Sequence, residues 1–319
     1  MSFKILLLPD ANQEWADLVR EAVPGVDVQV FSDPAAAMEE IEDADAVYGT
    51  VPPELLRRAK RLRWIAASRA GLGARWFYPE LVESDVVVTN VRGIYNEHLS
   101  HHIMAFLLAF ARRFDHYFKR NEAAPEWRRD LTPIDLPSST AVVVGVGGSG
   151  AEAGRLCAEF GMRVVGVDPR ITEAPAGFAE LVTPEQLDTK LSEADFVILT
   201  VPESPATIGF FDAGRFAAMK QGSYFINIGR GITVNTDDLV AALQSGHVAG
   251  AGLDVVAPEP LPSDHPLWRI PGVLITPHIG VTGDRETSHA RRVELLIENC
   301  KRFASGEELV NVVDKKAWF

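Results

Sequence analysis

The chain has 319 residues, enough for two domains at roughly 150 residues each, and its 47% hydrophobic and 24% charged content is that of an ordinary folded protein. A formal net charge of −13 argues against nucleic acid or an anionic membrane as the main partner, while leaving room for a local basic pocket. Two cysteines, Cys157 and Cys300, are too few for a disulfide framework, and no CxxC or HExxH spacing points to a metal.

Met1 leads straight into Ile5-Leu6-Leu7-Leu8, with Asp10 close behind; this is too short and too acidic for a signal peptide and reads as a first strand. The longest apolar stretch in a helix, Ile103 to Ala111, falls well below the ~18 residues that span a bilayer. A cytoplasmic protein is therefore expected.

In chain order, Phe3–Leu8, Val26–Phe31, Ala46–Tyr48, Trp64–Ala67 and Val86–Asn90 read as strands, and Asn12–Val23, Pro34–Glu42 and Pro53–Leu62 as the helices between them. Such alternation implies βαβ units and a parallel sheet. A long helix is predicted from about Glu97 to Phe118, its apolar stripe running through Ile103, Phe106, Leu107 and Phe110. The segment Asn121–Ser139, with three prolines and little periodicity, is a connection or an arm; it bears Trp127 in Glu126-Trp127-Arg128-Arg129. A second alternating series has strands at Ala141–Val146, Arg163–Asp168, Phe196–Val201, Tyr224–Ile228, Gly250–Val255 and Val273–Thr276. A terminal helix, roughly Arg285 to Ala304, precedes a strand-like tail at Leu309–Val313.

The first strand of that second series runs into Gly145-x-Gly147-x-x-Gly150, and a helical pattern follows from Ala151 to Phe160. Glycines here permit a tight turn, the close approach of a pyrophosphate, and close packing of helix on strand, while the helix N-terminus offers N–H groups to the phosphates. Gly148 and Ser149 fill the turn. Asp168 ends the next strand 23 residues after Gly145, near the ~20 expected of the acid that bonds a ribose. NAD is thus preferred. Arg170, just past Pro169, leaves NADP open, because it could swing toward a 2′-phosphate.

Three charged residues lie where parallel strands should end: Arg230 in Ile228-Gly229-Arg230-Gly231, Glu259 in Ala257-Pro258-Glu259-Pro260, and His278 in Thr276-Pro277-His278-Ile279-Gly280. Open α/β sheets bind ligands in the crevice at those ends. A cation, a carboxylate and an imidazole there could hold an acid substrate and move a proton.

Taken together, these motifs resemble the D-isomer-specific 2-hydroxyacid dehydrogenases, a family with glyoxylate, hydroxypyruvate and phosphoglycerate enzymes. The likeness runs from Trp64 to Gly280 and includes Val201-Pro202-Glu203-Ser204-Pro205-Ala206-Thr207. The resemblance implies that Arg230 holds the substrate carboxylate and polarises the keto oxygen, that His278 gives and takes the proton, and that Glu259 orients His278. It implies that Asp254 bonds the nicotinamide carboxamide, and that Val201, Pro202, Thr207, Ile228, Gly229 and Gly280 line the cofactor. In Trp64–Gly73, the backbone of Ala70, Gly71 and Leu72 would grip the carboxylate, with Asn90 near the keto acid. Departures from the family pattern are Gly73 in place of an acid, Arg69, and His101-His102 where small or apolar residues are commoner. Arg69 is either a solvated charge or a reader of a second acidic group. Leu72, Tyr95 and Trp76-Phe77-Tyr78 are either an apolar wall of the site or, for the last three, plain core.

The expected fold is α/β with two parallel-sheet domains: a Rossmann dinucleotide-binding domain over 97–285, inserted into a smaller flavodoxin-like substrate domain of 1–96 and 286–319. The implied reaction is NAD(H)-dependent interconversion of a small 2-keto acid and its D-2-hydroxy acid in a cleft that closes. A corepressor-like protein that senses NAD on the same fold is the alternative. A homodimer is expected, built on the long helix and the arm, since Phe106, Leu107, Phe110 and Phe114 exceed what one face needs.

Overall fold

The computed structural model describes residues 2–123, 127, 129, 131–281 and 285–319. Glu126 and Arg128, beside Trp127 in the arm, lie outside the described residues. The chain folds as two units, one of Met1–Ile94 with Asp284–Phe319 and one of Tyr95–Gly283.

In the first unit, Ile5-Leu6-Leu7-Leu8 is fully buried, as suits an interior parallel strand covered on both faces. The elements are β1 (Lys4–Leu7), α1 (Gln13–Ala22), β2 (Asp27–Val30), β3 (Ala46–Tyr48), α2 (Pro53–Arg58), β4 (Trp64–Ala66), α3 (Pro79–Glu83) and β5 (Val87–Thr89). They form an all-parallel sheet of order β2-β1-β3-β4-β5. Helix α1 starts where Asn12 Oδ1 accepts the Trp15 N–H at 3.1 Å, a side-chain cap on an otherwise unpaired donor. The helix expected over Pro34–Glu42 is instead two 3-10 turns, Pro34–Ala37 and Glu40–Glu42. With only Ala37 and Ile41 buried, so short a run gains too little packing to sustain α geometry. Helix α2 stops at Arg58, short of the expected Leu62, because Ala59 turns extended (φ −65°, ψ 123°) and Arg63 N–H is drawn to Asp45 O.

The second unit holds α4 (Asn96–Ala111), α5 (Phe114–Ala123), β6 (Thr140–Val144), α6 (Gly148–Glu159), β7 (Arg163–Val167), β8 (Glu180–Val182), α7 (Leu187–Leu191), β9 (Phe196–Leu199), α8 (Ala213–Ala218), β10 (Ser223–Asn227), α9 (Thr236–Gln244), β11 (Val248–Leu253) and β12 (Val273–Ile275). Its sheet is all-parallel in the order β12-β11-β10-β9-β6-β7-β8. Strand β8, which no apolar run announces in the sequence, extends the edge beyond β7.

The single helix expected from Glu97 to Phe118 is broken. Arg113 takes a left-handed backbone (φ 62°), rare for a residue with a β-carbon, and separates α4 from α5. Its guanidinium donates to Thr132 O at 3.0 Å and to the Tyr224 hydroxyl, anchoring the bend. The break also corrects the reading of the apolar stripe: Phe106, Leu107 and Phe110 are buried in this unit's core, whereas Phe114 and Phe118 stack on each other and are 45% and 62% exposed.

Helix α10 (Arg285–Ser305) returns to the first unit, burying Val293, Leu296 and Cys300 with Trp15 and Val19 of α1. The tail expected as a strand makes one antiparallel bridge, Val312 to Thr89, since Asn311 is left-handed (φ 61°) and interrupts the pairing. Among the described residues, no helix is long and apolar enough to cross a membrane.

Candidate active site

The glycine turn links β6 to α6. Gly145 is left-handed (φ 93°), and its N–H donates to Val167 O at 2.8 Å. A β-carbon at Gly150 would collide with the Gly145 carbonyl oxygen, so α6 packs on the turn after β6 only through glycine, and one at Gly148 would collide with the Asn96 amide of α4. A β-carbon at Gly147, the N-cap of α6, would meet nothing within 4 Å. That open space beside the first N–H groups of a 12-residue helix fits a pyrophosphate. Ser149 Oγ lies 3.4 Å from Asn96 Oδ1.

Asp168, 3% exposed at the end of β7, is engaged within the turn. Oδ2 accepts the Val146 N–H at 2.9 Å, and Oδ1 accepts the Arg170 N–H at 2.9 Å with Arg170 Nε at 3.4 Å. Pro169 and Arg170 are exposed beyond it. Past β9, Val201 is buried, and the Thr207 hydroxyl closes the Pro202–Thr207 turn by donating to Pro202 O at 2.6 Å and accepting the Ser204 N–H at 2.8 Å.

Strands β10, β11 and β12 are neighbours, so Arg230, Asp254 with Glu259, and His278 follow the carboxyl ends of three adjacent strands. Ile228 is buried after β10, and Asn227 Oδ1 accepts the Gly229 N–H at 3.0 Å to set the turn. β-Carbons at Gly229 and Gly231 would crowd Val201 O and Val256 O. The backbone around Arg230 is thus confined, and Arg230 Nη1 donates to Gly229 O at 2.7 Å.

His278 Nδ1 lies 2.6 Å from Glu259 Oε1, and both side chains are 41% exposed. Glu259 sits between two cis-proline bonds, Ala257-Pro258 and Glu259-Pro260. His278 is left-handed (φ 54°), and its N–H is held by Asp254 O and Thr276 O, each at 2.9 Å. The buried Asp254 carboxylate accepts from the Thr276 hydroxyl at 2.6 Å, Ile279 N–H at 2.9 Å and Gly280 N–H at 3.0 Å. Asp254 therefore organises the whole Thr276–Gly280 turn, in addition to any contact with a ligand.

In the first unit, Asn90 is 3% exposed, and its Nδ2 donates to Ala70 O at 2.7 Å. It supports the loop of Ala70, Gly71 and Leu72 from behind. Leu72, Trp76 and Phe77 belong to the hydrophobic core of this unit. Sequence reasoning missed the supporting polar residues Asn96, Asn227 and Thr276, each of which acts through contacts that no linear motif displays.

Residues 104–280 match the model of the D-isomer specific 2-hydroxyacid dehydrogenase NAD-binding domain. The chain belongs to this family. Among similar 2-hydroxyacid dehydrogenases, a glyoxylate/hydroxypyruvate reductase B of Pectobacterium carotovorum is 34% identical over 83% of each chain. A glyoxylate reductase of Korarchaeum cryptofilum is 31% identical over 88% of this chain and 85% of its own. The structure of an NADPH-dependent glyoxylate/hydroxypyruvate reductase from Sinorhizobium meliloti, in complex with NADP and sulfate, superposes with a TM-score of 0.84 at 28% identity, covering 99% of this chain and all of that one. Membership in the 2-hydroxyacid dehydrogenases supports NAD(P)-dependent oxidoreductase chemistry on 2-hydroxy acids.

Proposed function

We propose that the protein is a cytoplasmic, homodimeric reductase that converts a small 2-keto acid to its D-2-hydroxy acid with NAD(H), its second unit binding the dinucleotide and its first contributing to substrate binding. The observation that carries this reading is the 2.6 Å contact between His278 Nδ1 and Glu259 Oε1. A carboxylate accepting from Nδ1–H fixes the ring's orientation and leaves Nε2 on the opposite side to serve the reacting oxygen. Arg230, with its planar fork of donors, would hold the substrate carboxylate and draw charge from the keto oxygen. A nicotinamide, when bound, supplies the hydride. The Gly145–Gly150 turn, Asp168, Asp254 and Gly280 would hold the dinucleotide, and the Ala70–Leu72 backbone would grip the substrate carboxylate.

The dimer is supported by the stacked pair Phe114 and Phe118 and by Trp127, which is 91% exposed; aromatic side chains of this size are strong interface anchors. The unpaired Cys157 and Cys300 suit a reducing compartment. Loss of nicotinamide absorbance with glyoxylate or hydroxypyruvate and NADH tests the reaction. No turnover across a panel of 2-keto acids with either NADH or NADPH would leave the dehydrogenase reading without support, and a monomer mass by light scattering would remove the dimer.

A further inference from the structure

Outside the His278–Glu259 pair, a second histidine reaches the same turn from helix α4. His102 Nε2 lies 2.9 Å from Thr276 Oγ1 and 3.4 Å from Asp254 Oδ1. Its side chain is 19% exposed, and its ring stands edge-on to Phe106, with centroids 4.9 Å apart, so its position is set by packing.

The direction of the hydrogen bonds follows from what each group can do. The Asp254 carboxylate only accepts, so the Thr276 hydroxyl spends its one proton on Asp254 Oδ1 at 2.6 Å. Thr276 Oγ can then only accept from His102, which requires the proton on Nε2. The chain His102 → Thr276 → Asp254 runs one way, and it ends on the group whose carbonyl and carboxylate oxygens fix the N–H groups of His278, Ile279 and Gly280. A left-handed backbone at a residue with a β-carbon persists only where its surroundings over-determine it. His278 is such a residue (φ 54°), and its turn is tied to α4 through this relay.

We propose that His102 is a positioning residue. Through Thr276 and Asp254 it holds the turn that presents His278, and it fixes the Asp254 carboxylate at the nicotinamide end of the cofactor site. The proposal rests on the functional reading above for its effect on rate. It does not need that reading for its effect on cofactor affinity.

The test compares three variants with the wild type: His102→Leu, which keeps bulk and loses the donor; His102→Gln, whose amide nitrogen reaches about as far as Nε2; and Thr276→Val, which removes the link. In the reduction of a 2-keto acid with NADH, His102→Leu and Thr276→Val should each lower kcat ~10-fold, with the KM of the keto acid nearly unchanged, and His102→Gln should recover most of the rate. The double variant His102→Leu/Thr276→Val should be no slower than either single one, the non-additivity expected of residues acting in one network. Wild-type kcat in His102→Leu, or His102→Gln as slow as His102→Leu, overturns the proposal. So does additivity in the double variant. If His102→Leu fails to fold, Thr276→Val and His102→Gln decide by the same criteria.

Should the wild type reduce no keto acid, the functional reading fails separately. NADH affinity, titrated by fluorescence across the same variants, then decides this proposal: weakened several-fold in His102→Leu and restored in His102→Gln supports it, and equal affinities refute it.

Discussion

Asp168 accepts the Val146 backbone N–H at 2.9 Å, so the acid that ends β7 also braces the glycine turn after β6. The ribose-binding role proposed for Asp168 would therefore share one carboxylate with this structural role. We expect higher kcat/KM with NADH than with NADPH. Asp168→Ala should narrow that preference but also strand buried N–H donors, at a cost of about 1–3 kcal/mol and a lower Tm. Asp168→Asn keeps an acceptor and should narrow the preference with less loss of stability. A wild type that favours NADPH would mean that Arg170 governs the choice.

His278→Ala should lower kcat by ~10²–10⁴-fold, the usual contribution of a positioned acid or base. The side chain is 41% exposed, so stability should hardly change, and NADH should bind as before. Near-normal turnover would remove His278 from the reaction.

Two glycines of one motif should respond differently. Gly150→Ala drives a β-carbon into the Gly145 carbonyl and should unsettle the β6–α6 junction, seen as a lower Tm. Gly147→Ala meets nothing within 4 Å and should fold normally, yet bind NADH more weakly, because its methyl occupies the space assigned to the pyrophosphate. Unchanged NADH affinity in a well-folded Gly147→Ala would place the phosphates elsewhere.

Asp115, in the first turn of α5, has a buried Oδ1 with no hydrogen-bond partner among the described residues. Desolvation raises its pKa above the ordinary 3.8, although the His116 N–H and the Arg113 charge pull the other way. A carboxyl with a raised folded pKa opposes folding when ionised, and that penalty fades as pH falls through the folded value toward the unfolded one. Asp115→Asn should therefore raise Tm by ~1–2 °C at neutral pH, and the gain should vanish as the pH is lowered toward 4. An equal gain at both pH values would show that charge is not the cause.

The parallel α/β plan and the position of every glycine-loop and strand-end residue were legible because apolar runs, glycine spacing and charged strand ends are local signals. The elements misread were those decided by tertiary contact. Strand β8 is three residues, Glu180–Val182, with no periodicity of its own, and forms only because β7 offers an edge. The break at Arg113 carries no glycine or proline to announce it. Asn96, Asn227 and Thr276 are ordinary polar residues in sequence, and their roles appear only when the turns they brace are folded around them. His102 was visible as a departure from the family pattern, but its partners lie more than 150 residues away.

The left-handed Arg113 also uncouples two jobs that one continuous helix would have to share. Before it, α4 is committed to the sheet and to the relay from His102 through Thr276 to Asp254. After it, Phe114 and Phe118 turn outward on a segment whose phase is set afresh. Adding or deleting a residue beyond Arg113 would swing that aromatic pair by about 100° around the axis while leaving α4 in register. If the proposed dimer forms through that pair, its geometry could thus be rewritten in evolution or by design while α4 and its contacts are left alone.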